Sequence, residues 1–221
     1  MPRPEPMKDF FNTRVDGYDK HMRINVASFE KIYTTIATPI TCSYEPLKIL
    51  DLGCGTGLEL DAVFQKTPNA LITGIDLSKE MLCKLEEKYV SKKPQLSLIV
   101  GSYLETPFPE LTYDFVLSVM TLHHLTRSEK SRIYDKIHKT LKKGGIYIEG
   151  DYVVNPLEAE KRFQQYNIIK ETYKIEDMHN YHVDIPFTKQ AQIELFHKAG
   201  FHSIEIVNEL ENACVFTCKK D

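Results

Sequence analysis

The stretch Asp51-Leu-Gly-Cys-Gly-Thr-Gly57 decides how this chain is read. It overlaps Lys48-Ile-Leu-Asp-Leu52, a short run with strand character, and precedes Leu58 to Gln65, where apolar residues return to helical spacing. Glycine reaches backbone angles closed to other residues and lets the chain approach a ligand closely. The helix that follows starts with unpaired N–H groups and a partial positive charge, which favour a carboxylate. With Asp51 placed near an ammonium group, the turn suits a ligand with an amino-acid end. A tight turn needing glycine for packing alone is the competing account, and three glycines in five residues weigh against it.

Outward from this turn, strand and helix patterns alternate. Strands are predicted at Ala70 to Ile75, Gln95 to Val100, Tyr113 to Met120 and Ile146 to Asp151. The unbroken apolar run at Tyr113 to Met120 fits a central parallel strand covered on both faces. Ser78 is predicted to cap a helix running towards Tyr89, and Ser128 one that ends at Gly144-Gly145. Thr188 caps a last helix closing at Ala199-Gly200. Strands near Ile204 to Val207 and Ala213 to Cys218 then form an antiparallel hairpin. The prediction is an α/β, doubly wound, seven-stranded, mostly parallel sheet with one reversed strand in a terminal hairpin.

Before the first strand, Phe10 to Met22 carries helical spacing interrupted by Gly17, and Phe29 to Ile36 a second helical pattern. Residues 155 to 187 break the alternation with a charged helix from Glu158 to about Lys174 and a His-, Tyr- and Asp-rich loop. The 221 residues fit one domain, with residues 8–45 as a helical cap and 152–187 as an insert. Together these are expected to form a substrate lid.

A hydrophobic share of 42% and a charged share of 27% are ordinary for a folded soluble protein. A net charge of −3 argues against a large nucleic-acid surface. No apolar run is long enough for a membrane helix, and Met1 to Met7 lacks a secretory core, so a cytoplasmic location is expected. Five cysteines without a C-x-x-C pair agree with a reducing compartment.

A second constellation, Gly74-Ile-Asp76-Leu-Ser78, places an acid at the end of the second strand, where a carboxylate can accept both hydroxyls of a ribose. A nucleoside ligand follows. A dinucleotide fold expects G-x-G-x-x-G, whereas the glycines here fall as G-x-G-x-G with Leu58 next, and the terminal hairpin does not suit a dehydrogenase. The ordered set of Asp51 to Gly57, Gly74 to Ser78, Asp114-Phe-Val-Leu-Ser118 with His123-His124, and Leu141-Lys-Lys-Gly-Gly145 resembles class I S-adenosylmethionine-dependent methyltransferases over roughly residues 45 to 220. The leader Phe11-Asn-Thr-Arg-Val-Asp-Gly-Tyr-Asp19 resembles that of small bacterial UbiE-like and CmoA-like members.

The resemblance implies S-adenosyl-L-methionine as cofactor and S-adenosyl-L-homocysteine as product. Asp51, Gly53, Cys54, Gly55 and Gly57 would hold the methionine end, and Asp76 the ribose, with Leu77 and Met81 beside the adenine. Gly101, Ser102 and Tyr103 stand where many members have an aspartate that meets the adenine amino group; Ser102 departs from that pattern. Ser118 and Val119 would line the sulfonium side, and Tyr18 would close over the cofactor.

Methyl transfer from a sulfonium needs alignment and exclusion of water, and a base only where the acceptor must lose a proton. His123, His124, Asp151 and Tyr152 are candidates for that base; His124 and, from the leader, Tyr18 are taken as catalytic, with pocket-shaping and packing roles competing for both. The loop Asp177 to Asp184 is read as solvated or capping before substrate contact and before metal, so no metal is expected. Without an Asn/Asp-Pro-Pro-Tyr motif or a suitably placed nucleophilic cysteine, a small-molecule acceptor is expected rather than a nucleic-acid base. A non-catalytic binding protein and an NAD-dependent oxidoreductase are the alternatives.

Overall fold

The computed structural model describes residues 2–26 and 29–221. Helices α1 (Met7–Asn12), α2 (Tyr18–Asn25) and α3 (Phe29–Thr35) precede the sheet, a short 3₁₀ turn at Val15–Gly17 separating the first two. Ala27 and Ser28, inside the cap predicted for residues 8–45, lie outside the described residues. Then come β1 (Lys48–Leu52), α4 (Leu60–Lys66), β2 (Leu71–Asp76), α5 (Lys79–Lys88), β3 (Leu96–Val100), β4 (Tyr113–Val119), α6 (Arg127–Thr140) and β5 (Leu141–Tyr152). Helix α7 (Pro156–Tyr173), α8 (Lys189–Lys198), β6 (Ser203–Glu209) and β7 (Ala213–Lys219) complete the chain.

The seven strands pair in the order β3-β2-β1-β4-β5-β7-β6. The first five are parallel, and β7 runs antiparallel between β5 and β6. This is the sheet expected from the sequence. The winding direction reverses between β1 and β4, so the loops leaving their carboxyl ends diverge and open a crevice there. Alternation along β7 shows how the layers are filled: Ala213 and Val215 join the core beneath α3, whereas Cys214, Phe216 and Cys218 join the core beneath α6 and α8. The two cysteines are buried small apolar groups on one face. Edge strand β6 is largely exposed and carries Glu205 and Glu209, charges that discourage pairing with another chain.

Local signals account for most element ends. Ser78 caps α5 by accepting the Met81 N–H, and Thr188 caps α8 through the Ala191 N–H. Two predicted boundaries are corrected. Helix α6 is capped by Thr126, whose side chain and that of Glu129 form a reciprocal box, so Ser128 lies inside the first turn. The same helix ends at Thr140 and runs straight into β5. Gly144, with φ of 74°, and Gly145 belong to an irregular stretch in which Tyr113 pairs with Leu141 but Phe115 pairs with Ile146.

The insert has a small core of its own, made by Tyr166, Ile175, Met178 and Ile185. Its loop meets the leader. The Phe10 ring stacks on His182 at 3.6 Å, Arg14 lies over Phe10 and forks onto Glu5, and the His182 N–H donates to the Glu5 carbonyl. The leader is also tied to the glycine turn, where the Thr56 hydroxyl donates to Asp19 at 2.5 Å.

Candidate active site

Gly53, Gly55 and Gly57 have φ of 67°, 49° and 69°, a left-handed run that other residues resist. A side chain at Gly53 would collide with Thr121 Oγ1, so the loop after β1 and the loop after β4 are in contact. A side chain at Gly74 would come within 2.8 Å of Cys54 Sγ, which explains why the glycine turn can sit so close to β2.

Asp76 ties these parts together. Its Oδ2 accepts the Gly55 N–H at 2.9 Å and its Oδ1 the Ser78 N–H at 2.8 Å. Burial pushes its carboxyl up to about 6, although those N–H groups pull the other way. Asp51 is buried beside Glu59, a residue the sequence reading passed over. Burial and the neighbouring carboxyl hold Asp51 well above the usual range, and burial raises Glu59 as well. Asp51 Oδ2 and Glu59 Oε1 receive no hydrogen bond among the described residues. Two buried carboxyls side by side with unmet oxygens suit a bound ammonium group.

Of the residues predicted to meet the cofactor, Tyr18, Gly53, Gly55, Asp76, Leu77, Met81, Ser102 and Tyr103 line one cavity. The others stand back from it. Cys54 packs under Gly74, the Gly57 carbonyl accepts the Tyr89 hydroxyl, and the Gly101 N–H donates to the Asp76 carbonyl. Ser118 and Val119, expected on the sulfonium side, do not line this cavity. The Ser118 hydroxyl is paired with that of Tyr147 at 2.6 Å, and Val119 belongs to the core. Met120, at φ of 52°, turns the chain so that Met120 and Thr121 line the cavity instead.

A second cavity of about 630 Å³ adjoins the first. Its apolar wall includes Phe10, Met22 and Tyr152, and its inner end is made by His123, His124 and Asp184. Phe11, Tyr18, Met120 and His124 belong to the walls of both cavities.

The inner end is built from three distant segments. His123 and His124 sit on a 3₁₀ turn after β4, Asp151 near the end of β5, and Asp184 in the insert loop. His123 Nδ1 lies 2.6 Å from Asp151 Oδ1, which also accepts the Tyr152 N–H. Asp184 Oδ1 lies 3.1 Å from His124 Nδ1 and 3.8 Å from His123 Nε2. Burial alone would lower the pKa of His123, but Asp151 and Asp184 outweigh it and hold the ring above its ordinary value. Burial and the neighbouring His123 hold His124 below its ordinary value, and burial takes His182 down to about 4. The sequence reading had named His124, His123 and Asp151 as candidates. It missed Asp184 as their partner, and only the density of His and Asp in that loop hinted at it.

A family model described as a methyltransferase domain matches residues 49–145, the stretch that holds β1, the glycine turn, Asp76 and β4. The chain carries a methyltransferase domain, and its fold and relatives support a class I S-adenosylmethionine-dependent methyltransferase. This methyltransferase is 29% identical to an uncharacterized methyltransferase of Geobacillus sp. (strain WCH70) over 72% of its own length and 70% of the relative. It is 24% identical to a carboxy-S-adenosyl-L-methionine synthase of Campylobacter fetus, over 96% of this chain and 94% of the other. The crystal structure of a putative O-methyltransferase from Nostoc punctiforme superposes with a TM-score of 0.72 at 23% identity, covering 99% of this methyltransferase and 62% of that chain, a likeness of fold. S-adenosylmethionine is therefore the cofactor, and the paired acids Asp51 and Glu59 fit its ammonium group. No described helix is long and apolar enough to cross a membrane.

Proposed function

We propose that this methyltransferase acts on a small molecule held in the second cavity. The observation that supports this best is the junction: Phe11, Tyr18, Met120 and His124 face both cavities, so occupants of the two would meet across those four side chains. When bound, the cofactor supplies an activated methyl group on a sulfonium. The protein's share is then to hold, align and keep water out.

Asp76 would take the ribose hydroxyls with lone pairs left over from Gly55 and Ser78, and Asp51 with Glu59 the ammonium. Leu77 and Met81 would flank the adenine, near Ser102 and Tyr103. Tyr18 closes the junction from the leader. Burial and nearby carboxylates hold its phenol well above the usual range, so it stays protonated and can donate. His124 orients the acceptor from the opposite side. Residues 8–45 and 152–187 form the lid, joined through the stacking of Phe10 on His182.

The near full-length likeness to carboxy-S-adenosyl-L-methionine synthases raises a second reading, in which the cofactor itself gains a carboxyl group. An added carboxylate at the junction would want a free cation. Arg14 is the one arginine or lysine lining the second cavity among the described residues, and Glu5 holds it, while Asp184 stands at the inner end. This charge pattern favours methyl transfer. Incubation with methyl-deuterated S-adenosylmethionine and a small-molecule cell extract tests it: a deuteromethylated product is expected, and a carboxylated cofactor with no such product would favour the second reading.

A further inference from the structure

We propose that His123 Nε2, His124 Nδ1 and Asp184 Oδ1 bind one divalent transition-metal ion at the inner end of the second cavity. The proposal rests on reading that cavity as the acceptor's. Each of the three side chains offers a ligand atom within 4.8 Å of those of the other two, and Asp184 Oδ1 lies 3.1 Å from His124 Nδ1 and 3.8 Å from His123 Nε2. A metal bonded at about 2.1 Å sets adjacent ligands roughly 3.0 to 3.4 Å apart in octahedral or tetrahedral geometry, so small side-chain rotations close the trio.

Two further observations support the site. Asp184 Oδ1 is a buried carboxylate oxygen that no well-aligned hydrogen bond reaches among the described residues. Behind the trio, Asp151 Oδ1 accepts from His123 Nδ1 at 2.6 Å, and the Tyr152 N–H fixes the carboxylate in turn. With Nδ1 taken by Asp151, Nε2 is the nitrogen of His123 that an ion beside Asp184 Oδ1, 3.8 Å away, would use. A carboxylate behind an imidazole is the arrangement that orients metal-bound histidines and makes them stronger ligands. In the free protein the Val183 carbonyl lies 3.3 Å from His124 Nδ1; when the ion takes Nδ1, the ring proton sits on Nε2 and the imidazole stays neutral.

The nearby cations are engaged elsewhere. Arg14 is forked onto Glu5, and the buried Lys130 donates to Gln192. Two imidazoles and one carboxylate suit Zn²⁺, Co²⁺, Ni²⁺ or Fe²⁺ better than Mg²⁺ or Ca²⁺, which prefer oxygen alone. Three protein ligands leave open positions towards the cavity. An acceptor hydroxyl bound there loses its proton to water more readily. Its oxygen then forms the bond to the methyl carbon as the carbon–sulfur bond breaks and sulfur keeps the electron pair.

The test is cobalt titration of the full-length, chelator-treated protein, read by visible absorption and by equilibrium dialysis. One Co²⁺ per chain with a d–d spectrum is expected. Affinity should fall at least about tenfold in Asp184→Asn and in the second-layer variant Asp151→Asn. S-adenosylhomocysteine binding and melting temperature, measured on the same samples, report folding. No binding, or equal affinity in wild type and Asp184→Asn, overturns the site. Because cobalt binding needs no turnover, a bound ion without methyl transfer would sink the proposed activity and leave the site standing.

Discussion

Asp76 and Gly55 are bound to one another: the Asp76 carboxylate accepts the Gly55 N–H at 2.9 Å, so the acid that ends the second strand shapes the glycine turn after the first. The two motifs form one object. A residue assigned to ribose recognition also sets the backbone path at the methionine end, and the consequences of changing it differ from those of losing one ligand contact.

Asp76→Asn should weaken S-adenosylhomocysteine by about 10- to 100-fold, the scale of a lost hydrogen bond to a charged group. Asp76→Ala should cost more, because Gly55 and Ser78 both lose their acceptor. Isothermal titration calorimetry gives both constants.

Cofactor affinity should fall as pH drops through about 6, where Asp76 takes up a proton in the free protein. The sign follows from the direction of the shift. A carboxyl raised by burial favours the folded apoprotein at low pH and opposes it above about 6, whereas ribose binding needs the ionised form. Dissociation constants measured across this range check the slope.

Glu149 yields a stability prediction away from the cofactor. It is fully buried, accepts from Tyr134 and Tyr147, also meets Gln192, and burial pushes it to about 7. Folded-state protonation therefore stabilises the chain at low pH, and the benefit is lost as pH rises through about 7. Glu149→Gln should flatten that part of the pH–stability curve, measured by urea unfolding.

Gly53→Ala should destabilise the apoprotein by about 1–3 kcal/mol through strain at positive φ and a collision with Thr121. Gly55→Ala meets open space and suffers the backbone strain alone, so it should fall at the lower end. Chemical denaturation of the pair separates the two causes.

Those features that depend on local backbone chemistry were legible in the sequence. The glycine turn, the Ser78 and Thr188 caps and the terminal hairpin each declare themselves within a few residues. Asp76 was legible because its place at a strand end is itself a local signal. The inner end of the second cavity was only half legible. His123 and His124 are adjacent in sequence, but Asp184 reaches them from some 60 positions away, through a loop whose path depends on the small core of the insert. Glu59 went unread because a helix-start glutamate ordinarily faces water, and here it is buried against Asp51. That Met120 and Thr121, and not Ser118 and Val119, line the first cavity goes with the left-handed turn at Met120, which no residue type in that run announces.

The central claim is that the methyl acceptor occupies the second cavity, and Met22→Trp tests it most directly. Met22 lines that cavity and not the cofactor's. A larger ring there costs about 1–3 kcal/mol of stability, which a melting curve monitors. With methyl-deuterated cofactor and a small-molecule extract, wild type should yield a labelled small molecule. The variant should bind S-adenosylhomocysteine as wild type does and yield little or none of that product. Undiminished labelled product from the variant would contradict the account.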